Sequence, residues 1–290
     1  MLKIIGKESF NIFLVILSIC FLALGGIFVK LSELGPVNTG LYRVLLSIPI
    51  LIPFFLNERI KVKIKPKEIL LILFSGVFLG FDLLLWNVSF FHTTVANANL
   101  LANLVPFTII PISFFIYKEK IPRGFLFGVI ITIIGVFLLI KGKNFESGYS
   151  LFGDSLAFLT SIFYGLFLSV VYKLRNKISA ISIMFYSAFG TLIVLFPAAF
   201  IIEGISIPKE YSEWWPLISL AIFSQILGQG GLSYCLGKIT SLLASVLVLT
   251  QPVISAIYAY FIFNEKISFI ETIAILIVLF GIFWSKKTTK

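Results

Sequence analysis

Two ionisable side chains stand inside long apolar runs of this sequence, Arg43 in LYRVLL and Asp82 in LGFDLLLW. A charge in hydrocarbon costs about 2.5–3.5 kcal/mol on insertion scales, so each is either a functional group or half of a neutralised pair. Asp82 is chemically suited to a cation, a proton or a substrate amine. Trp86 lies four residues on, on the same helix face, and could hold an amine or an apolar side chain by cation–π contact or stacking. The plainer alternatives are a structural Arg43–Asp82 ion pair and an interfacial tryptophan. Amides form the second group: Asn97, Asn99 and Asn103, then Gln225 and Gln229, then Gln251 before Pro252. Asn99 and Asn103 share a face, as do Gln225 and Gln229, and buried amides must line a cavity or bond a neighbouring helix.

Other chemistry is sparse. His92 is a lone histidine, and Cys20 and Cys235 lie deep in apolar runs where a free cysteine behaves as a small hydrophobe. No His/Cys spacing suggests a metal or a disulfide, no cofactor is implied, and no Walker-type loop supports ATP hydrolysis. Paired deep carboxylates or a Ser/Lys dyad, as a membrane enzyme requires, are missing too, and no catalytic residue is assigned.

The elements that must position these residues follow from composition. Of 290 residues, 59% are apolar and 12% charged, and the mean hydropathy is +1.07. Soluble proteins carry about 25% charged residues, so a large soluble enzyme is excluded. Ten runs are long enough for membrane helices, at roughly 11–31, 38–56, 68–90, 94–117, 122–140, 151–172, 180–202, 215–236, 240–263 and 267–285. Barrel strands would be half as long and alternating. The first run, behind Lys3 and Lys7, reads as a retained span rather than a cleaved leader. The expected fold is an all-α integral membrane protein of ten transmembrane helices.

The formal charge of +10 is a topology signal and not a nucleic-acid footprint. With both termini cytoplasmic, seventeen of the 23 basic residues fall in inner segments and five in outer ones, Arg43 lying within span two. Arg43 then sits about 8 Å, and Asp82 about 9 Å, from the outer ends of their spans, while Asn103, Gln225 and Gln251 reach mid-depth.

Sliding the chain by 146 residues matches Thr94–Lys141 to Thr240–Lys287 without a gap. Pro106 meets Pro252, Glu119–Lys120–Ile121 meets Glu265–Lys266–Ile267, and Gly135 meets Gly281. Five spans per half is an odd number, so the halves, 1–145 and 146–290, are expected to be inverted repeats with a substrate site at their interface. Pro106 and Pro252 place kinks at equivalent positions and are candidate hinges. Glu119 and Glu265 end helices at the interface and are candidate gates. Gly25–Gly26 and Gly228–Gly230–Gly231 permit close helix contact.

Ten short spans as five plus five, Leu41–Tyr42–Arg43, the run from Asp82 through Trp86–Asn87 to Thr93–Pro106, and the Glu-Lys pairs closing spans four and nine resemble the EamA-type branch of the drug/metabolite transporter superfamily. The resemblance spans essentially the whole chain. One departure is Leu24, where a tryptophan often precedes glycine in span one; span six keeps an aromatic in Tyr164–Gly165. It implies a transporter in the cell membrane that exports amino acids or related small metabolites, with a membrane lipid environment and scope for proton or ion coupling. An importer or exchanger of the same fold, a channel and a membrane enzyme are the alternatives. The expected substrate contacts are Asp82, Trp86, Asn99, Asn103, Tyr164, Gln225, Gln229 and Gln251, with Arg43, Pro106, Pro252, Glu119 and Glu265 in structural or coupling roles.

Overall fold

The computed structural model describes residues 2–59, 64–89, 92–93, 98, 101–141, 151–263 and 268–288. Among these, helix is the regular structure and no strand occurs. The helices are α1 (Leu2–Leu31), α2 (Pro36–Leu45), α3 (Ser47–Arg59), α4 (Pro66–Ser89), α5 (Pro106–Phe115), α6 (Arg123–Lys141), α7 (Leu151–Leu174), α8 (Ala180–Ile202), α9 (Tyr211–Ser219), a π-helical segment (Leu220–Gly230), α10 (Gly231–Leu236), α11 (Ser241–Val248), α12 (Gln251–Phe263) and α13 (Phe269–Thr288).

Seven helical stretches among the described residues are long and apolar enough to cross a membrane, with two shorter apolar helices at Pro106–Phe115 and Arg123–Leu138. Of the ten expected runs, 122–140 corresponds to α6, 94–117 lies partly outside the described residues, and 215–236 is not one continuous α-helix. Within 94–117 the chain leaves helix at 103–105 and is α-helical again from Pro106, and the run 215–236 changes helical type at Leu220. Proline explains two further breaks. Pro49 denies a donor to the Leu45 carbonyl and its ring crowds it, and the helix is interrupted at Leu46. Pro252 does the same to Val248, and α11 ends there before α12 begins at Gln251. The expected kinks at Pro106 and Pro252 are therefore helix boundaries.

Packing is inside-out relative to a soluble protein. Phe10, Phe13, Phe196, Phe200, Ile201 and Phe283 are exposed, whereas Ser75, Ser187, Thr191 and Ser285 are buried. Large apolar groups face the lipid, and small residues let helix backbones meet. In the α4–α8 pair Gly76 faces the Ser187 carbonyl, Gly190 faces that of Leu73, and Thr191 Oγ1 donates to the Gly76 carbonyl at 2.9 Å. A second such pair joins α6 to α13, where Gly128 and Thr132 meet Gly281. Local caps fix helix starts: Thr240 Oγ1 accepts from Leu243 N at 3.3 Å, and Ser268 with Glu271 forms a reciprocal capping box.

Candidate functional site

The described helices leave a small cavity of about 70 Å³ between α1, α2, α4, α7, the π segment, Ala102 and Asn103 ahead of α5, and the start of α12. Leu22, Gly25, Arg43, Asp82, Leu83, Trp86, Ala102, Asn103, Thr160, Tyr164, Gln229 and Gln251 line it. Arg43 is 7% exposed and Asp82 8%, so both charges are removed from the protein surface. They interact electrostatically, but among the described residues no hydrogen bond or direct ion pair joins them. Instead Arg43 donates its Nε–H to Gln225 Oε1 at 2.9 Å. Tyr164 donates its hydroxyl to Gln229 Oε1 at 3.0 Å, leaving the buried Gln229 Nε2 without a partner among the described residues.

Local structure explains this placement. Asp82 and Trp86 follow each other on one face of α4, and Thr160 precedes Tyr164 by one turn of α7. The two glutamines come from the π segment, whose wider turn is rare and concentrates at functional sites. Seven of the expected residues meet at the cavity: Arg43, Asp82, Trp86, Asn103, Tyr164, Gln229 and Gln251. Gln225 stands behind it as the Arg43 partner, a contact between residues 182 apart that local patterning does not foretell. Asn99 and Glu265 lie outside the described residues. Thr160 was not expected, although its spacing from Tyr164 is the signal that points to it. Cys20 and Cys235 are free, and no metal-ligating cluster occurs among the described residues. His92 is exposed, with its ring edge-on to Phe152 at 5.1 Å.

Carboxylates tie helix ends away from the cavity. Glu119 accepts from Tyr172 Oη at 3.1 Å and from Ser241 Oγ at 3.4 Å, and Ser241 shares a 2.9 Å hydrogen bond with Ser113, so the ends of α5, α7 and α11 meet there. Glu203, just past α8, accepts from Val37 N, Asn38 N and Asn38 Nδ2, all at 2.9 Å, and so caps the start of α2. At the opposite end of the α2–α3/α8 pair Glu58 accepts from the Ser179 hydroxyl, the N-cap of α8. Nearby Arg175 donates to the carbonyls of Ile178, Ser233 and Tyr234. Burial draws its pKa below the usual arginine value, against the opposing pull of Tyr234 and Glu58. Neither Glu58 nor Glu203 carried a distinguishing sequence signal, because their partners lie 121 and about 165 residues away.

Lipid-facing apolar helices around a small cavity of charges, amides and aromatics define a multi-pass membrane protein built to take a small solute away from lipid. The model of the EamA-like transporter family matches residues 9–141 and 151–286, and the chain belongs to that family. It is a transporter and not an enzyme. Relatives include an uncharacterized transporter, YetK, of Bacillus subtilis, 29% identical over 85% of this chain and 76% of the relative. An uncharacterized transporter of Archaeoglobus fulgidus is 28% identical over 89% and 90%. The pseudopaline exporter CntI of Pseudomonas aeruginosa is 23% identical over 63% of each chain. A solved crystal structure superposes with a TM-score of 0.80 at 15% identity, covering 95% of this chain and 98% of the other, which is a likeness of fold.

Proposed function

We propose that the protein is a secondary active transporter that exports amino acids or related small metabolites across the cytoplasmic membrane by alternating access. The observation that carries this reading is the cavity itself, where one cation, one anion, several amides and an indole converge without a direct Arg43–Asp82 pair. A solute with both charges matches that lining better than a net anion or cation. Asp82 and Trp86 take the amine, Asn103, Gln251 and Tyr164 orient the polar remainder together with Asn99, and Gln225 acts from behind through Arg43. Similarity to an exporter favours the outward direction.

The same reading includes ten spans arranged as two inverted five-helix repeats, 1–145 and 146–290, with both termini cytoplasmic. The 146-residue repeat and the family matches in both halves of the chain support it. The helix breaks at Pro106 and Pro252 serve as hinges, and Glu119 and Glu265 as gates. A cavity of about 70 Å³ is small beside ligand pockets of about 300–1,000 Å³, so these hinges must move before a solute enters. Coupling to a proton or ion is assigned to Asp82.

Purified protein in liposomes, given pooled labelled amino acids and an imposed pH gradient, tests the reading. Saturable counterflow that Asp82→Asn abolishes is expected. Unsaturable flux indicates a channel, product formation an enzyme, and either outcome sinks the proposal. Saturable flux that runs only inward supports the importer of the same fold.

A further inference from the structure

We propose that the Nη edge of Arg43 and the Nε2 amide of Gln229 form a carboxylate subsite, which fixes the orientation in which a zwitterionic solute is held. This rests on the transport reading above and adds residue roles to it. Arg43 has one of its donors committed, because Nε–H is given to Gln225 Oε1 at 2.9 Å. Among the described residues its terminal nitrogens carry no hydrogen bond, and the side chain lines the cavity. Gln225 is thus a positioning residue that leaves the outer edge of the guanidinium available. That edge offers parallel N–H groups, the geometry that matches the two oxygens of a carboxylate.

Gln229 contributes the next donor. Tyr164 donates to its Oε1 at 3.0 Å, which anchors the acceptor end of the amide and directs Nε2 elsewhere. Gln229 is 1% exposed, lines the cavity, and its Nε2 has no partner among the described residues. Buried donors are ordinarily paired, so an orphaned one beside a cavity marks where a ligand oxygen or a water belongs. Gly25 keeps the adjoining wall open: a Cβ there would lie 3.8 Å from Arg43 Nη1 and 2.7 Å from Ser224 Oγ. The donor-rich end of the cavity therefore draws on α1, α2 and the π segment, while the carboxylate of Asp82 enters from α4 with Trp86 one turn away.

An amino acid carboxylate bound by Arg43 and Gln229 leaves its ammonium to Asp82. The solute then completes a bridge that the protein's own charges do not close directly. The rival assignment makes Arg43 solely a counter-ion that neutralises Asp82, and Gln229 a helix contact. The two differ in what they discriminate, because a site built around a polar group rejects analogues lacking it far more strongly than an apolar site does.

The test is proteoliposome counterflow of pooled labelled amino acids, challenged by the same unlabelled amino acids or by their primary amides, which keep the ammonium and lose the carboxylate. With native protein the amides are expected to compete at least about tenfold more weakly. Gln229→Leu and Gly25→Ala are expected to shrink that ratio severalfold, and Arg43→Gln to bring it to about one. Elution as a single symmetric peak in detergent identifies folded variants, and Gln229→Leu keeps the test decisive if Arg43→Gln does not fold. Amides that compete as well as amino acids on native protein overturn the subsite while leaving the transporter intact. A ratio unchanged in folded Gln229→Leu also overturns it, and absence of any amino acid counterflow overturns the transport reading and the subsite together.

Discussion

Glu203 is a sharp test of how the two halves of the chain hold together, because one side chain bridges residues about 165 apart. Its carboxylate accepts three N–H groups at 2.9 Å from the first turn of α2, and the Asn38 amide extends the link to the Gly204 carbonyl at 2.8 Å. Gly204, at φ +73°, makes the turn that places that carbonyl there. A hydrogen bond to a charged group contributes about 1.5–3 kcal/mol when buried, and an anion at a helix N-terminus about 0.3–1 kcal/mol. Glu203 is only half-buried, which reduces both. Glu203→Gln removes the charge and turns one acceptor into a donor facing donors, so a loss of about 2 kcal/mol is expected. For a chain of 290 residues, at about 2.1 cal/mol/K of unfolding entropy per residue, that corresponds to a fall in Tm of about 3 °C. The assay is thermal unfolding of detergent-purified protein, with Glu210→Gln as control, since Glu210 is exposed in the same loop. Gly35→Ala should mimic the loss, because its Cβ would strike the Glu203 carboxylate. Glu203→Gln melting within about 1 °C of native protein, with Glu210→Gln, would refute the role of this cap.

Tyr164→Phe leaves Gln229 Oε1 without its donor and frees the amide to rotate; a rise of about tenfold in the counterflow KM is expected, from about 1–3 kcal/mol for an unpaired buried acceptor. Gly76→Ala drives a Cβ into the Ser187 carbonyl, where backbone must move, so a loss toward the upper end of about 1–3 kcal/mol should appear as lower thermal stability. Pro252→Ala restores the backbone donor that Val248 lacks and should slow exchange while leaving solute binding in place, measured as counterflow rate against equilibrium binding.

Much of the cavity was legible in one dimension because polar groups in hydrocarbon are costly and few. Arg43, Asp82, Asn103 and Gln251 stand out against apolar neighbours, and helix counting brings them toward one region. The positions of Pro106 and Pro252 likewise mark helix breaks from covalent geometry alone. Pairing was not legible. Opposite charges at matched depth suggest an Arg43–Asp82 bridge, yet the guanidinium turns to Gln225, whose direction depends on the π segment. No local rule marks a π turn within an apolar run, and a one-residue change in winding re-aims every side chain after it. Glu58 and Glu203 look like ordinary helix-end carboxylates, and only the packing of α2 and α3 against α8 brings their partners close.

The central claim is that the solute binds where Arg43, Asp82, Tyr164 and Gln229 meet. An experimental structure in lipid nanodiscs, with a transported amino acid at saturating concentration, tests it most directly. The account predicts solute density in the cavity, its carboxylate on Arg43 and Gln229 Nε2 and its ammonium toward Asp82 and Trp86. Density at another place, with this cavity closed and Gln229 Nε2 still unpaired, would contradict it.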